Sequence, residues 1–308
     1  MKRFFSILFA TLIALHAHAD LEWISPLSTD HPNVGKVYDL RTQEAVEPQS
    51  LLAALKNHDV ILIGEKHDNP DHHRLEQIIL GTLINASDKP SVILEMLDES
   101  QSNATTIIQA SDSDDELKKT LNWNEKGWPW EYYGPIVRQI LSEDATLLVG
   151  NISRSKVRSI YKDGTEALIT DSRFKTVLEM SNTIRSSLLD EIYEQHCEMM
   201  PRERLSPMVN IQLARDAYMA AAIDGVKSSQ TILIAGGYHV RKDTAVPLHL
   251  RLRKSNKHPL VIMLQEVDPT LQNNQDTLRE MQRQADYVWF TPRFTDRDYC
   301  KDLKTSQK

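Results

Sequence analysis

The chain has 308 residues, 41% hydrophobic and 26% charged, with 10 Gly and 13 Pro, a globular rather than fibrous or disordered composition. Its 36 Lys and Arg stand against 43 Asp and Glu, a formal net charge of −7. That balance argues against nucleic acid as a partner, because phosphate-dominated binding needs a cationic surface.

The first element is a leader. Lys2 and Arg3 precede an apolar run from Phe4 to Leu15, and Ala17-His18-Ala19 follows before Asp20. This is the charged, apolar, small-residue order of a secretory signal peptide. The run of 12 residues is short of the roughly 20 that span a bilayer. Cleavage after Ala19 would remove Lys2 and Arg3, leaving 289 residues with 34 cationic against 43 acidic side chains, a net of −9. The expected location is therefore the periplasm or the medium, in soluble form. Neither cysteine directly follows the apolar run, so no lipobox is expected. In an oxidising compartment Cys197 and Cys300, the only two cysteines, are predicted to form a disulfide.

Residues 21–46 read as an irregular lead-in with one hairpin. From there on, short apolar runs rich in β-branched residues alternate with helical periods: Val60–Gly64, Ser91–Leu94, Thr146–Gly150, Thr231–Ala235, Pro259–Leu264 and Tyr287–Phe290. Continuous hydrophobicity predicts strands buried on both faces, hence an α/β fold with a mostly parallel sheet covered by helices on both sides. Asp71 is expected to cap a helix carrying Leu75, Ile78, Ile79 and Leu83, and Ser206-Pro207 to open a long one through Ile211, Ala214, Ala217, Tyr218 and Ala221. Residues 98–141 and 153–205 exceed the length of one crossover helix and are predicted to be helical insertions forming a small subdomain. The expected organisation is a signal peptide over 1–19 and one domain over 20–308.

Ligands of open parallel sheets bind at the carboxyl ends of the strands. Here those ends carry Gly64-Glu65-Lys66-His67, Glu95, Gly150-Asn151, Gly236-Gly237-Tyr238-His239 and Gln265-Glu266. Asn151 is explained as well by helix capping as by function. Glu65, Glu95, His67 and His239 are not. Two strands end in Gly-x-x-His, where glycine would let the chain turn tightly and aim the imidazole over the sheet edge. Two imidazoles with Glu65 and Glu95 have the composition of a transition-metal site, or of a site for iron inside a larger cofactor. His72 and His73 fall in the first turn of the following helix, so at most one can face the cleft. Trp123, Trp128 and Trp130, with Tyr132 and Tyr133, form either subdomain core or an aromatic wall for a flat ligand. Arg154, Lys156 and Arg158 read as a solvated helix face that would also attract carboxylates. A nucleophile elbow, a phosphate loop, the Rossmann glycines and a covalent haem motif are all missing.

At these residues the sequence resembles the ChaN family, haem-binding uptake proteins of the Tiki superfamily, which also contains erythromycin-esterase-like and Tiki/TraB proteins. The resemblance rests on Trp23-Ile24-Ser25-Pro26, the run from Ile63 to His73, Leu94-Glu95-Met96-Leu97-Asp98, Gly127-Trp128-Pro129, Ala214-Arg215-Asp216-Ala217, His239-Val240-Arg241 and Trp289-Phe290-Thr291-Pro292-Arg293. It implies an exported protein of iron uptake that binds haem non-covalently, as stacked pairs across a homodimer, and that serves a haem transport system. It also implies that His67, Glu95 and His239 occupy metal-ligand positions of the superfamily. Tyr238 stands where a small residue is expected, and the axial haem ligand stays open among Tyr238, His67, His72 and a tyrosine of the aromatic segment. His239 joins them as a cofactor-binding candidate. The alternative is a metal-dependent hydrolase using zinc or manganese, with Glu65 or Glu95 as general base. A partner-binding protein without cofactor is a third reading.

Overall fold

The computed structural model describes residues 22–271 and 275–306. The predicted signal peptide lies outside the described residues. All six predicted strands form, each within a few residues of its expected bounds: β3 (Val60–Glu65), β4 (Ser91–Asp98), β5 (Thr146–Asn151), β6 (Thr231–Gly236), β7 (Leu260–Glu266) and β8 (Tyr287–Thr291). The lead-in supplies the hairpin β1 (Val37–Asp39) and β2 (Glu44–Val46). The sheet order is β2-β1-β8-β7-β3-β6-β4-β5, parallel from β8 to β5, with β1 antiparallel to β8 and β2 to β1.

Side chains of each parallel strand point alternately to two helical layers. Ile61 and Ile63 pack toward α1 (Pro48–Leu55) and α2 (Pro70–Ile84), whose Leu51, Leu55, Leu75, Ile79 and Leu80 are buried. Val60 and Leu62 face the other layer, with Met219, Ala220, Val246, Leu250, Leu278 and Met281.

The predicted insertions are helical. The first contains α3 (Asp114–Thr120) and α4 (Trp130–Ser142), and the second contains α5 (Arg154–Asp163), α6 (Lys175–Leu178) and α7 (Asn182–Gln195). Instead of forming a core of their own, both share the first layer's apolar cluster through Leu117, Ile136, Val137, Phe174 and Leu188. The long helix α8 (Ser206–Gly225) bridges the two clusters, with Leu213 and Ala217 in one and Met219 and Ile223 in the other. Then come α9 (Gly237–Val240), α10 (Val246–Leu252), α11 (Gln275–Met281) and α12 (Tyr299–Ser306).

Two local expectations change. The N-cap of α2 is Asn69, whose side-chain oxygen accepts from the amides of Asp71 and His72, with Pro70 at the first helical position. Asp71 instead accepts from the amides of Ile24 and Ser25 and pins the lead-in to the sheet edge. Ile78, placed on the apolar stripe, is exposed.

The chain visits β4 and β5 on one side of β3, returns through β6, and crosses β3 to reach β7. The segments leaving the adjacent strands β3 and β6 therefore turn to opposite faces, and a crevice opens between their carboxyl ends. Cys197 and Cys300 are bonded as predicted, with Cα atoms 5.3 Å apart, tying α12 to the end of α7. A loop of this size contributes about 4–5 kcal/mol in the chain-entropy picture.

Candidate functional site

The crevice gathers the predicted residues. Glu65 ends β3, His67 stands two residues on, Glu95 comes from β4, and His239 lies in α9 just after β6. His67 Nδ1 lies 2.8 Å from Glu65 Oε1 and its Nε2 3.9 Å from Glu95 Oε2. His239 mirrors it: Nδ1 lies 2.5 Å from Asp216 Oδ1 of α8 and Nε2 3.3 Å from Glu95 Oε1. Each imidazole is thus held at Nδ1 by a buried carboxylate while its Nε2 converges on Glu95, the arrangement that fixes the orientation of metal-bound histidines. Glu95 also accepts the Gly236 amide at 2.8 Å.

The glycines of the two Gly-x-x-His turns have a reason other than backbone freedom. Gly236 is at φ −55°, and the only described glycines with positive φ are Gly35 and Gly164. What the turns need is space. A Cβ at Gly64 would lie 2.4 Å from a Val240 methyl, and one at Gly236 would lie 2.8 Å from His67 Nε2. Each turn fills the room left by the other's glycine.

Beneath His67 lies a second, buried layer. The Tyr133 hydroxyl donates to Glu65 Oε1 at 2.8 Å, and His73 Nδ1 lies 3.3 Å from Glu65 Oε2 and 3.1 Å from Glu76 Oε2. Ligand atoms of Glu65, His73 and Glu76 all lie within 4.8 Å of one another. Glu65 Oε2 and Glu76 Oε1 are buried without a hydrogen-bond partner. The expected set His67, Glu95 and His239 is brought together more loosely, through Glu95.

The charges of the site are set by mutual support. Burial opposes charging His67 and His239, but Glu65 and Glu95 raise His67 to about 9, and Glu95 and Asp216 raise His239 to about 10. The same imidazoles hold Glu95 well below the usual carboxylate range against its burial. Burial also opposes ionisation of Glu65, but His73 and His67 prevail and lower it. Burial and the charge of Glu65 push Glu76 up to about 7. Burial, helped by Glu65, pushes the Tyr133 hydroxyl up, so it remains a neutral donor.

Other predicted residues separate. His72 is fully buried; its Nδ1 accepts from the Lys66 amide at 2.8 Å and its Nε2 lies 3.0 Å from Thr291 Oγ1. Burial lowers it to about 3. With both ring nitrogens engaged it is a structural residue, not a ligand facing the cleft. Asn151 likewise serves structure, donating to the Glu95 carbonyl. The aromatic segment divides. Trp130 and Tyr133 are buried, whereas Trp128 sets its edge against the His67 ring at 4.8 Å between centroids and lines the cleft. Tyr238 is 53% exposed and borders two cavities, of about 640 and 370 Å³, that share His67, Glu191 and Gly236.

The family profile described as haem-binding uptake, Tiki superfamily, ChaN, matches residues 51–250, a span that carries the imidazoles and carboxylates of the site. The chain belongs to this family. Among solved structures, this ChaN-family chain is similar to ChaN of Campylobacter jejuni, described with cofacial heme binding. The identity is 29% and the TM-score 0.67, over 82% of this chain and 95% of that one. It is also similar, at 11% identity and TM-score 0.48, to an erythromycin esterase, EreC, in its open conformation, over 87% of this chain and 99% of that one. No curated protein matches it.

The site of this ChaN-family chain includes residues that motif reading did not single out. Tyr133 was grouped only with its aromatic neighbours. Asp216 and Arg215 lie inside an amphipathic helical stretch, where a charged pair looks like surface. Their one signal was their place in the Ala214–Ala217 run of the family resemblance.

Proposed function

We propose that this chain is an exported, non-covalent haem-binding protein of bacterial haem or iron uptake. The observation that carries the reading is a half-open imidazole and an exposed phenol bordering one cleft in a chain of the ChaN family. The His67 side chain is 40% exposed, and Tyr238 is 53% exposed. The cavities they share fall within the usual range of small-molecule sites, about 300–1,000 Å³. Met263, Leu264, Leu188, Ile192 and Trp128 supply apolar lining for a flat macrocycle. Tyr238 or His67 would hold the iron, whereas His239 and Glu95, already paired, line the floor. The similar Campylobacter protein is described with cofacial heme binding, and stacked haems across a homodimer, which the family resemblance implies, belong to the same proposal. The leader pattern and the disulfide support export.

Titration of the purified protein with hemin should give a saturating Soret shift that Tyr238→Phe or His67→Ala alters. Absence of saturation, or a shift indifferent to replacing Tyr238, His67 and His239, overturns the proposal.

One observation favours a second reading, a metal-dependent hydrolase. Both histidines present Nε2 beside Glu95 while carboxylates hold Nδ1, and the buried oxygen Asp216 Oδ2 has no hydrogen-bond partner. His67, Glu95 and His239 would hold the ion, which would supply Lewis acidity. Glu65, ionised and held by Tyr133 and His67, would accept a proton at its carboxylate. Stoichiometric zinc or manganese retained on purification, with no hemin response, would favour this reading over haem binding.

A further inference from the structure

The region after β5 contains a charge reversal. Ser153 caps α5, and Arg154 and Arg158, four residues apart, present one face of that helix. Lys156, grouped with them in the sequence, turns away, its ammonium 5.4 Å from the Phe174 ring centroid. In its place Arg215 of α8 joins the two arginines, and all three line one cavity of about 610 Å³ with Trp123 and Trp128. Arg215 Nε is buried without a hydrogen-bond partner. None of the three guanidinium groups has an ion-pair partner among the described residues.

The acidic groups lining this cavity are already used. Glu95 serves His239 and the Gly236 amide, and Asp98 accepts from Ser100. The opposite side of the cleft differs, since its arginine, Arg241, is neutralised by Glu191 and Asp243. In a chain of net charge −7, three unpaired cations around one cavity mark where an anion can be held. Glu95, Trp128 and Arg215 also border the cavity containing His67 and His239, so the two spaces share an edge.

We infer that Arg154, Arg158 and Arg215 form a carboxylate subsite holding the acidic group of the same ligand whose flat body rests against Trp128 and the His67/His239 edge. The inference rests on the haem reading only for the source of the carboxylates, which would then be the propionates. Guanidinium groups suit the task because their planar donors match a carboxylate's two oxygens.

The test compares hemin with iron protoporphyrin dimethyl ester, whose propionates carry no charge, on the parent protein and on Arg154→Gln/Arg158→Gln. Both side chains are exposed, and thermal unfolding checks that the double variant stays folded. Hemin affinity should fall about tenfold per arginine while the ester binds both proteins alike. An equal loss for hemin and ester, or no loss for either, overturns the subsite. If the parent binds no hemin, the haem reading fails on its own, and calorimetry with succinate decides the subsite. Saturable succinate binding lost in the double variant supports it, and no binding to the parent overturns it.

Discussion

The two Gly-x-x-His turns share a spacing, a place at the end of adjacent parallel strands and a common partner in Glu95, yet they produce different groups. His239 is 7% exposed, and carboxylates face both its ring nitrogens. His67 is 40% exposed, and its Nε2 is 3.9 Å from Glu95, beyond hydrogen-bond reach. The difference comes from what lies over each turn. Helix α8 passes above the second and delivers Asp216, while only the edge of Trp128 approaches the first from outside. One motif thus makes a fixed post and the other an adjustable arm.

The largest test of that contrast is to remove the buried carboxylate. Asp216→Ala removes one of the two carboxylates that hold the buried His239 imidazolium and is expected to cost about 3–5 kcal/mol. Removing the ring of the open turn, His67→Ala, should cost well under that, because a half-exposed group loses little on folding. Urea midpoints of the two variants measure the gap, and equal losses would erase the distinction between post and arm.

Titration in the alkaline direction comes next. A histidine raised by folding stabilises the native state fully below its ordinary value of 6.5 and loses that contribution as pH climbs to its folded value, about 10 for His239. Stability should therefore fall between pH 6.5 and 10, by about 1.4 kcal/mol per pH unit where one ring dominates. His73, where Glu65 and Glu76 outweigh burial, is raised to about 9, so His239→Asn should remove part of the loss up to pH 9 and the remainder between 9 and 10, whereas removing the half-exposed ring in His67→Ala should change the limb less. His72 and His249 act oppositely. Burial lowers both to about 3, so the unfolded chain takes up protons first as pH drops below 6.5, and stability falls on that side too. A stability curve flat from pH 5 to 9 would contradict these assignments.

The smallest effects separate the glycines. Gly64→Ala meets a fixed Val240 methyl and should cost about 1–3 kcal/mol of stability. Gly236→Ala meets the movable His67 ring, so it should lower the melting temperature less and disturb ligand titration more. The reverse ranking would mean that His67 is the rigid member of the pair.

Much of the architecture was legible. The apolar runs of β3, β6 and β7 are buried on both faces, and this shows in the sequence because no polar residue can interrupt them. Glu65, His67, Glu95 and His239 could be found because strand ends place polar residues where a ligand crevice must open. His72 could not be separated from His73 by spacing, since consecutive helical residues point apart and only tertiary packing says which one meets Thr291 and which meets Glu65. The helical insertions were likewise visible as helices, but their merger into the main core was not, because an amphipathic face does not name its partner.

By itself, then, the sequence determined the periodic features: a parallel sheet between two helical layers, histidines and glutamates at its carboxyl edge, and two cysteines left to pair. Tertiary structure alone decided which imidazole nitrogen is free, that Tyr133 and Asp216 orient the site, and that Arg215 joins Arg154 and Arg158 around one cavity. The physical reason is one of range. Hydrophobic period and turn chemistry act over a few residues, whereas the charge state and exposure of a side chain depend on groups that packing brings from far along the chain.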